Sequence, residues 1–361
     1  MLLFTAAMLL WLALHFAFAM REWRRTKGAM ASEIDFHYER TEDYLGTSFR
    51  RKVEEWMARA SEDGSAPHST RGESLAVADS LDAPDHAALG DLLLVKGDFS
   101  CGTHATLSKE LYVQGNCRIG ASSIARALAV DGDLALGPDS QVQRWVDCHG
   151  SIDIGPGCKL GGRTHSAAAI RFHAGAQAVS LHAVEVLSMP AAAPAPAAPA
   201  VVDAFVLDPD TVLLPEELER AGIDAKRLRR ASADTWAYAG DFHPAVPLRC
   251  SAKMFVRGAC RLPAGSVTAD LKATGRLEIG ERCRCEGALV SSSDILIGSD
   301  TALTAPVFAD GTVRLARRVH GGESAKPVSV YGRDGVVLDP GVTIHGKVAS
   351  PGGVTSAATR S

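Results

Sequence analysis

A phrase of the form apolar-x-apolar-x-Gly-x-apolar-x-apolar-Gly returns along this chain at a near-constant interval. It occupies residues 111–120, 128–137 and 146–155, with a partial earlier turn at 93–99. Its central glycines are Gly97, Gly115, Gly132 and Gly150. A fixed period combined with apolar alternation describes strands wound into a coil, and hairpins alone do not hold such a period. A second series follows downstream at a constant offset. Gly97-Asp98-Phe99 maps onto Gly240-Asp241-Phe242, residues 112–119 map onto 255–262, and Gly132 maps onto Gly275. Gly240, Gly258, Gly275 and Gly311 are the glycines of this second series, while Gly150 is replaced by Ser293.

At ~3.3 Å per residue, a coil of about 18 residues holds three short strands and three corners, with successive rungs ~4.8 Å apart. The expected fold is all-β: a β-solenoid (β-helix) in two duplicated copies, with an N-terminal transmembrane helix and minor helical segments. The competing architecture is a hairpin-linked β-sandwich. The central glycines fall on the inward parity, which predicts corners where a side chain would collide with the core. Lys96, Gln114, Arg118, Asp131 and Asp133 alternate outward. Aromatic residues make up 6% of the chain, which suits a narrow interior of Val, Ile, Leu and Cys.

Residues 2–20 contain no Asp, Glu, Lys or Arg. As a helix they cover ~28 Å, enough to span a hydrocarbon layer. Arg21, Trp23, Arg24, Arg25 and Lys27 follow at once, an interfacial ring and positive flank that predict an uncleaved anchor at 1–20 with the bulk of the chain in the cytoplasm. Ala17-Phe18-Ala19 resembles a cleavage site, and cleavage would make the chain periplasmic. Residues 21–61 read as a juxtamembrane amphipathic helix, with Leu45, Phe49, Val53 and Trp56 on one face and basic Arg50, Arg51 and Lys52 between them. The polar stretch 62–90 reads as a flexible tether. Copy 1 spans 91–188, a Pro/Ala linker 189–202, a helical insertion 203–235, copy 2 236–348, and a disordered tail 349–361. The insertion opens with Pro215-Glu216-Glu217, an N-terminal helix signal. The helices at 31–61 and 215–231 are candidate caps for solenoid ends.

Net charge is −4, and stacking aromatics are scarce, so no footprint for nucleic acid is present. The eight cysteines form no CxxC pair. Cys101, Cys117, Cys148 and Cys260 sit at inward positions and read as small buried residues of a reduced compartment. Cys283 and Cys285 share one side of a strand but lack a supporting histidine for zinc. His165, His173 and His182 fall at half-rung spacings, which places successive ones on different faces. Residues 157–164 approach a phosphate loop, but Arg163 stands where its lysine belongs. Asp131-Gly132-Asp133 lacks the remaining ligands of a calcium loop. No cofactor, metal or catalytic group is indicated.

The phrases at 113–120, 130–137 and 273–280, together with the apolar N-terminus, resemble the bactofilins, the polymer-forming cytoskeletal family of bacteria. The likeness covers 93–187 and 236–348. It implies right-handed β-helices that stack end to end into non-polar filaments without nucleotide, bound to the inner membrane as scaffolds for cell-shape or cell-wall machinery. The expected partners are therefore the inner membrane, further copies of the chain and envelope proteins. Two solenoid copies and an insertion between them depart from the family pattern. A hexapeptide-repeat acyltransferase is the enzymatic alternative. Its coils share this period, but it needs an apolar-Gly phrase three times per coil and a cleft histidine such as His149 or His165.

Overall fold

The structure is a computed structural model that describes residues 42–70, 72–190, 204–210 and 212–357. The chain winds into an all-β solenoid of about 15 turns. Each rung contributes one strand to each of three faces. Face A begins with Leu75–Ala78 and Leu92–Val95, face B with Leu81–Ala83 and Phe99–Cys101, and face C with Ala88–Leu89 and the first residues of Thr106–Val113. Strands pair in parallel with the rung before and the rung after. On face A the inward column runs Leu93, Leu111, Leu128, Val146, Thr164, Leu181.

Parallel pairing holds through residues 75–188 and again through 205–356, but the two segments meet antiparallel. Gln177–Ser188, the last strand of the first half, lies against Thr343–Ser356, the last strand of the second. Leu181 faces Val348, and His182 faces Lys347. The C-terminal rungs thus abut through a local twofold relation, and the two A faces continue into each other. Ser188 and Ser356 close the seam with hydroxyls 2.8 Å apart.

The interior is one continuous apolar column. All eight cysteines lie in it as buried free thiols. The buried rings crowd the ends of the halves: Phe99 and Phe172 in the first, Trp236, Tyr238 and Phe242 at the start of the second. Mid-rung positions carry Ile, Leu, Val and Cys, which stack on themselves without gaps.

Several segment readings need correction. Residues 62–90 are not a free tether: 75–89 form the first rung. It escaped the pattern because Asp79-Ser80 stands where later rungs have Gly-Asp. The strand Thr343–Ser356 likewise carries order well into 349–361, since it supplies one side of the seam. The insertion at 203–235 is mixed: strand Phe205–Leu207, a short helix α2 (Pro215–Arg220) and strand Leu228–Ser232. The N-terminal amphipathic helix, α1, spans Tyr44–Asp63. The predicted anchor 1–20, its flank at Arg21, Trp23, Arg24, Arg25 and Lys27, and most of the 189–202 linker lie outside the described residues. Among the described residues no helix is long and apolar enough to cross a membrane.

Candidate functional site

The rung glycines are spacers between neighbouring backbones. A Cβ on Gly115 would meet the carbonyl carbon of Gly97 at 2.6 Å, and one on Gly132 would meet the carbonyl oxygen of Gly115 at 2.6 Å. Gly97 has the same conflict with Asp79 O at 2.7 Å, Gly258 with Gly240 at 2.5 Å, and Gly275 with Ala259 N at 2.8 Å. At Gly150 the obstacles are the Asp133 side chain and the Gly132 carbonyl oxygen at 2.5 Å, and at Gly311 the Asp294 side chain comes first, with the Ser293 carbonyl carbon at 3.0 Å. The clash is therefore with the rung beneath and not with the core, as the inward parity had suggested. Only Gly240 among the eight needs a positive φ.

The residue after each glycine does work that the apolar pattern did not reveal. Asp98 accepts a hydrogen bond from the backbone N–H of Asn116 (2.7 Å), Asn116 from that of Asp133 (3.0 Å), and Asp133 from that of Ser151 (2.7 Å). Asp241 and Asp294 repeat this toward Ala259 and Thr312, both at 2.8 Å. A carboxylate or amide at this corner ties each rung to the next, satisfying N–H groups that the turn leaves unpaired.

The densest polar cluster lies under α1, on face A of the first half. Alternation fails there. Leu92–Val95 is buried at every position, and so are Ala127, Leu128, Ala129 and Val130. The inward members belong to the core. The outward ones, Leu92, Leu94, Tyr112, Ala127, Ala129 and Trp145, pack under Phe49, Val53 and Trp56 of the helix. Phe49 meets Trp145 edge-on at 5.8 Å between centroids. Gly46 lets the helix close on Asp147, because a Cβ there would overlap that side chain.

Arg50 points into this interface. It donates to Asp131 Oδ1 at 2.7 Å, to Asp147 Oδ1, and to the carbonyls of Val130 (3.0 Å) and Asp147 (3.3 Å). Its side chain is 8% exposed and that of Asp147 3%. The Tyr112 hydroxyl donates to Asp131 at 2.7 Å, and His165 Nδ1 lies 3.1 Å from Asp147 Oδ2. Burial by itself pushes the Asp147 carboxyl up, but the hydrogen bonds from His165 and Arg50 outweigh it and hold the group below the usual carboxylate range. Burial, then the bond to Asp131, pushes Tyr112 up to about 12. Sequence reasoning grouped Arg50 with Arg51 and Lys52 as a basic patch. The signals that separate it are the lost alternation at 92–95 and 127–130, and Asp147 in an otherwise apolar strand.

The other polar candidates separate. His165 and His182 stack in one face A column, 5.5 Å between centroids. His173 lies on another face and meets Asp153 at 2.8 Å. His149 approaches Asp131 at 3.5 Å. Among the described residues no group of His, Cys, Asp or Glu could hold a metal ion. Burial raises the thiols, Cys283 to about 11 and Cys148 to about 12. A groove of about 800 Å³ crosses face B of the first half, lined by Asp82, Arg118, Asp153 and Arg171.

The two outer ends of the solenoid differ. At the start of the second half, Leu218 of α2 and the following Ala221 and Ile223 join the core, and Leu228–Ser232 pairs antiparallel with Thr235–Ala239. That end is capped. At the start of the first half, the strands of the 75–89 rung pair with the rung after them; on the outer side, among the described residues, Leu75 alone is engaged, its N–H donating to Pro67 O at 3.0 Å where the 67–74 segment turns back. Ala76, on the inward parity, is exposed there. The helix expected as its cap, α1, lies along the flank. No protein family, curated protein or solved structure matches this chain.

Proposed function

We propose that this chain is a membrane-anchored scaffold of the bactofilin type, built from two duplicated β-helices, that associates with itself through a free solenoid end and recruits envelope or cell-shape partners. The observation that carries the reading is the outer rung at 75–89, whose backbone edge beyond Leu75 has no partner strand among the described residues, a ready template for another strand. The constant offset between the two glycine series supports the duplication. The apolar run at 2–20 and its basic flank support an inner-membrane anchor with the solenoid in the cytoplasm.

The structure's own seam suggests how ends of this kind meet, rung on rung and antiparallel. The seam occupies both C-terminal ends and α2 covers a third, so among the described residues a single edge is left for self-association. One edge pairing with its own copy about a twofold closes after two chains, whereas a filament needs two. Residues 72–91 carry five acidic side chains and no Lys or Arg, so this contact strengthens as salt screens the repulsion. The test is sedimentation of the full chain in detergent at low and high salt. A dimer that tightens with salt and is lost in Ala76→Arg is expected. A monomer at every concentration and salt overturns the reading. A C-terminal reporter active only in the periplasm overturns the assigned topology.

A further inference from the structure

We propose that face A of the second half is the docking site for an amphipathic helix of a partner protein, one that carries a carboxylate where α1 carries Arg50. The proposal rests on the scaffold reading for partner recruitment and is independent of self-association.

The two halves present the same columns at a constant offset, so each position under α1 has a counterpart. Leu94, Tyr112, Ala129, Asp147 and His165 correspond to Ala237, Phe255, Lys272, Val290 and Phe308. Register bears out the second column: Ala237, Phe255, Lys272, Val290, Phe308 and Tyr331 lie on successive rungs. In the first half these positions are sealed, with Leu94 and Tyr112 each 4% exposed. In the second half, Phe308 is 42% and Tyr331 36% exposed. Large rings in line on an open sheet are uncommon for a surface with no partner. Because the halves meet A face to A face at His182 and Lys347, this strip continues the surface that α1 already occupies.

The chemistry of the occupant follows from the substitutions. Asp131 and Asp147, which receive Arg50, become Thr274 and Val290, and Ala129 becomes Lys272. Lys272 has no ion pair among the described residues, and Arg257 lies over the Phe255 ring at 5.9 Å. The acidic well is replaced by a basic and aromatic strip. A second copy's α1 would set Arg50 against Lys272 there, so the occupant is a helix of the opposite polarity. Four rung steps from Phe255 to Tyr331 span ~19 Å, the length of ~13 helical residues with apolar side chains at i, i+4, i+7 and i+11. The 190–204 connection attaches beside face C at both ends, with Ser188 next to Val342 and Phe205 next to Pro247 and Leu248.

The test uses two labelled peptides spanning residues 43–64, one native and one carrying Arg50→Glu, titrated by fluorescence anisotropy against the full chain in detergent. The Arg50→Glu peptide is repelled by Asp131 and Asp147, so it reports on the second half alone. It should bind at least tenfold more tightly than the native peptide. Phe308→Ser should weaken it tenfold or more with no change in the thermal melt, and Lys272→Glu should reverse the preference between the peptides. Absence of binding at millimolar concentration, or binding indifferent to Phe308→Ser, overturns the proposal. So does a change in sedimenting mass, or in binding to anionic vesicles, caused by Phe308→Ser, because either assigns the strip to a second copy or to lipid. The dimer test depends on Ala76 and is unaffected by these outcomes.

Discussion

Replacing Arg50 with Ala tests how α1 is held. The helix docks through Phe49, Val53 and Trp56, all buried, each contributing ~1.5–3 kcal/mol by burial, or about 6 kcal/mol together. Arg50 adds a buried ion pair with Asp147 and a second, partly exposed, with Asp131. Removing one partner of a buried pair costs about 3–5 kcal/mol, because the other charge is left without compensation in a dry site. Here Asp147 keeps His165 at 3.1 Å and Asp131 keeps the Tyr112 hydroxyl at 2.7 Å, so the lower end applies, ~3 kcal/mol. That is about half the docking energy, and it raises the undocked population roughly a hundredfold. Hydrogen exchange of the α1 amides reads this directly, since opening the helix need not unfold the solenoid. The reasoning also requires that Arg50→Met combined with Asp147→Leu recover most of the loss, because the buried charge is removed together with its partner, while Asp131 keeps the Tyr112 hydroxyl. A single variant that speeds exchange less than threefold, or a double variant as loose as the single one, refutes the clamp.

Three further outcomes follow from the geometry. Gly132→Val should destabilise the first half by ~1–3 kcal/mol, because its Cβ meets the backbone carbonyl of Gly115, which cannot swing aside, as well as Asn116 Oδ1, whereas Gly90→Ala, with nothing within 4 Å, should change stability by under ~0.5 kcal/mol; chemical denaturation compares them. Since the folded Asp147 carboxyl lies below its ordinary value of 3.8, its contribution is complete above that pH and is lost as pH falls from there through the folded value. Fluorescence of Trp56 and Trp145 should report α1 loosening only in that acid range, and the Asp147→Asn variant should lack that component. Deleting residues 191–201 leaves about six residue steps between Ser188 and Phe205, roughly 20 Å at full extension, against about seven ladder steps or ~34 Å along face C. The seam then forms only between chains, and light scattering should show oligomers that wild type lacks under the same low-salt conditions.

Much of the architecture is local and therefore visible in sequence. Alternation at 111–119 and 146–154 sets which side chains enter the core, and the glycines mark where rungs approach most closely. The first rung was hidden because Ala76, Ala78 and Ala83 carry little hydrophobic signal and no Gly-Asp corner. The seam had no local signature at all, since Gln177–Ser188 and Thr343–Ser356 lie far apart in the chain and are joined only by pairing. The clamp sits between these cases. Arg50 alone is one cation among several, but the uniformly apolar strands at 92–95 and 127–130 state that both faces of that sheet are covered. Covered by what is a tertiary fact, fixed only when Asp147 pairs with Ala129 and so comes to lie on the rung next to Asp131.

Carrying both halves on one chain changes what the ends can do. Two separate solenoids would meet at a rate and affinity set by their concentrations. Joined by a short connection, the C-terminal rungs face each other at an effective concentration on the order of millimolar, so the seam forms without competition from other chains. On the scaffold reading the consequence is lower valence: after the seam closes and α2 caps one outer end, one open end is left among the described residues. Symmetry is also broken along the rod. The first half carries an acidic well filled by its own helix, and the second carries Lys272, Phe308 and Tyr331 in the matching column with no helix over them among the described residues. The outward face A column changes character between the halves, while the inward columns stay apolar in most rungs and most glycine corners keep their register. A change of charge and ring content on the outward column, over an interior that stays apolar, alters what the face can bind without altering how the rungs stack.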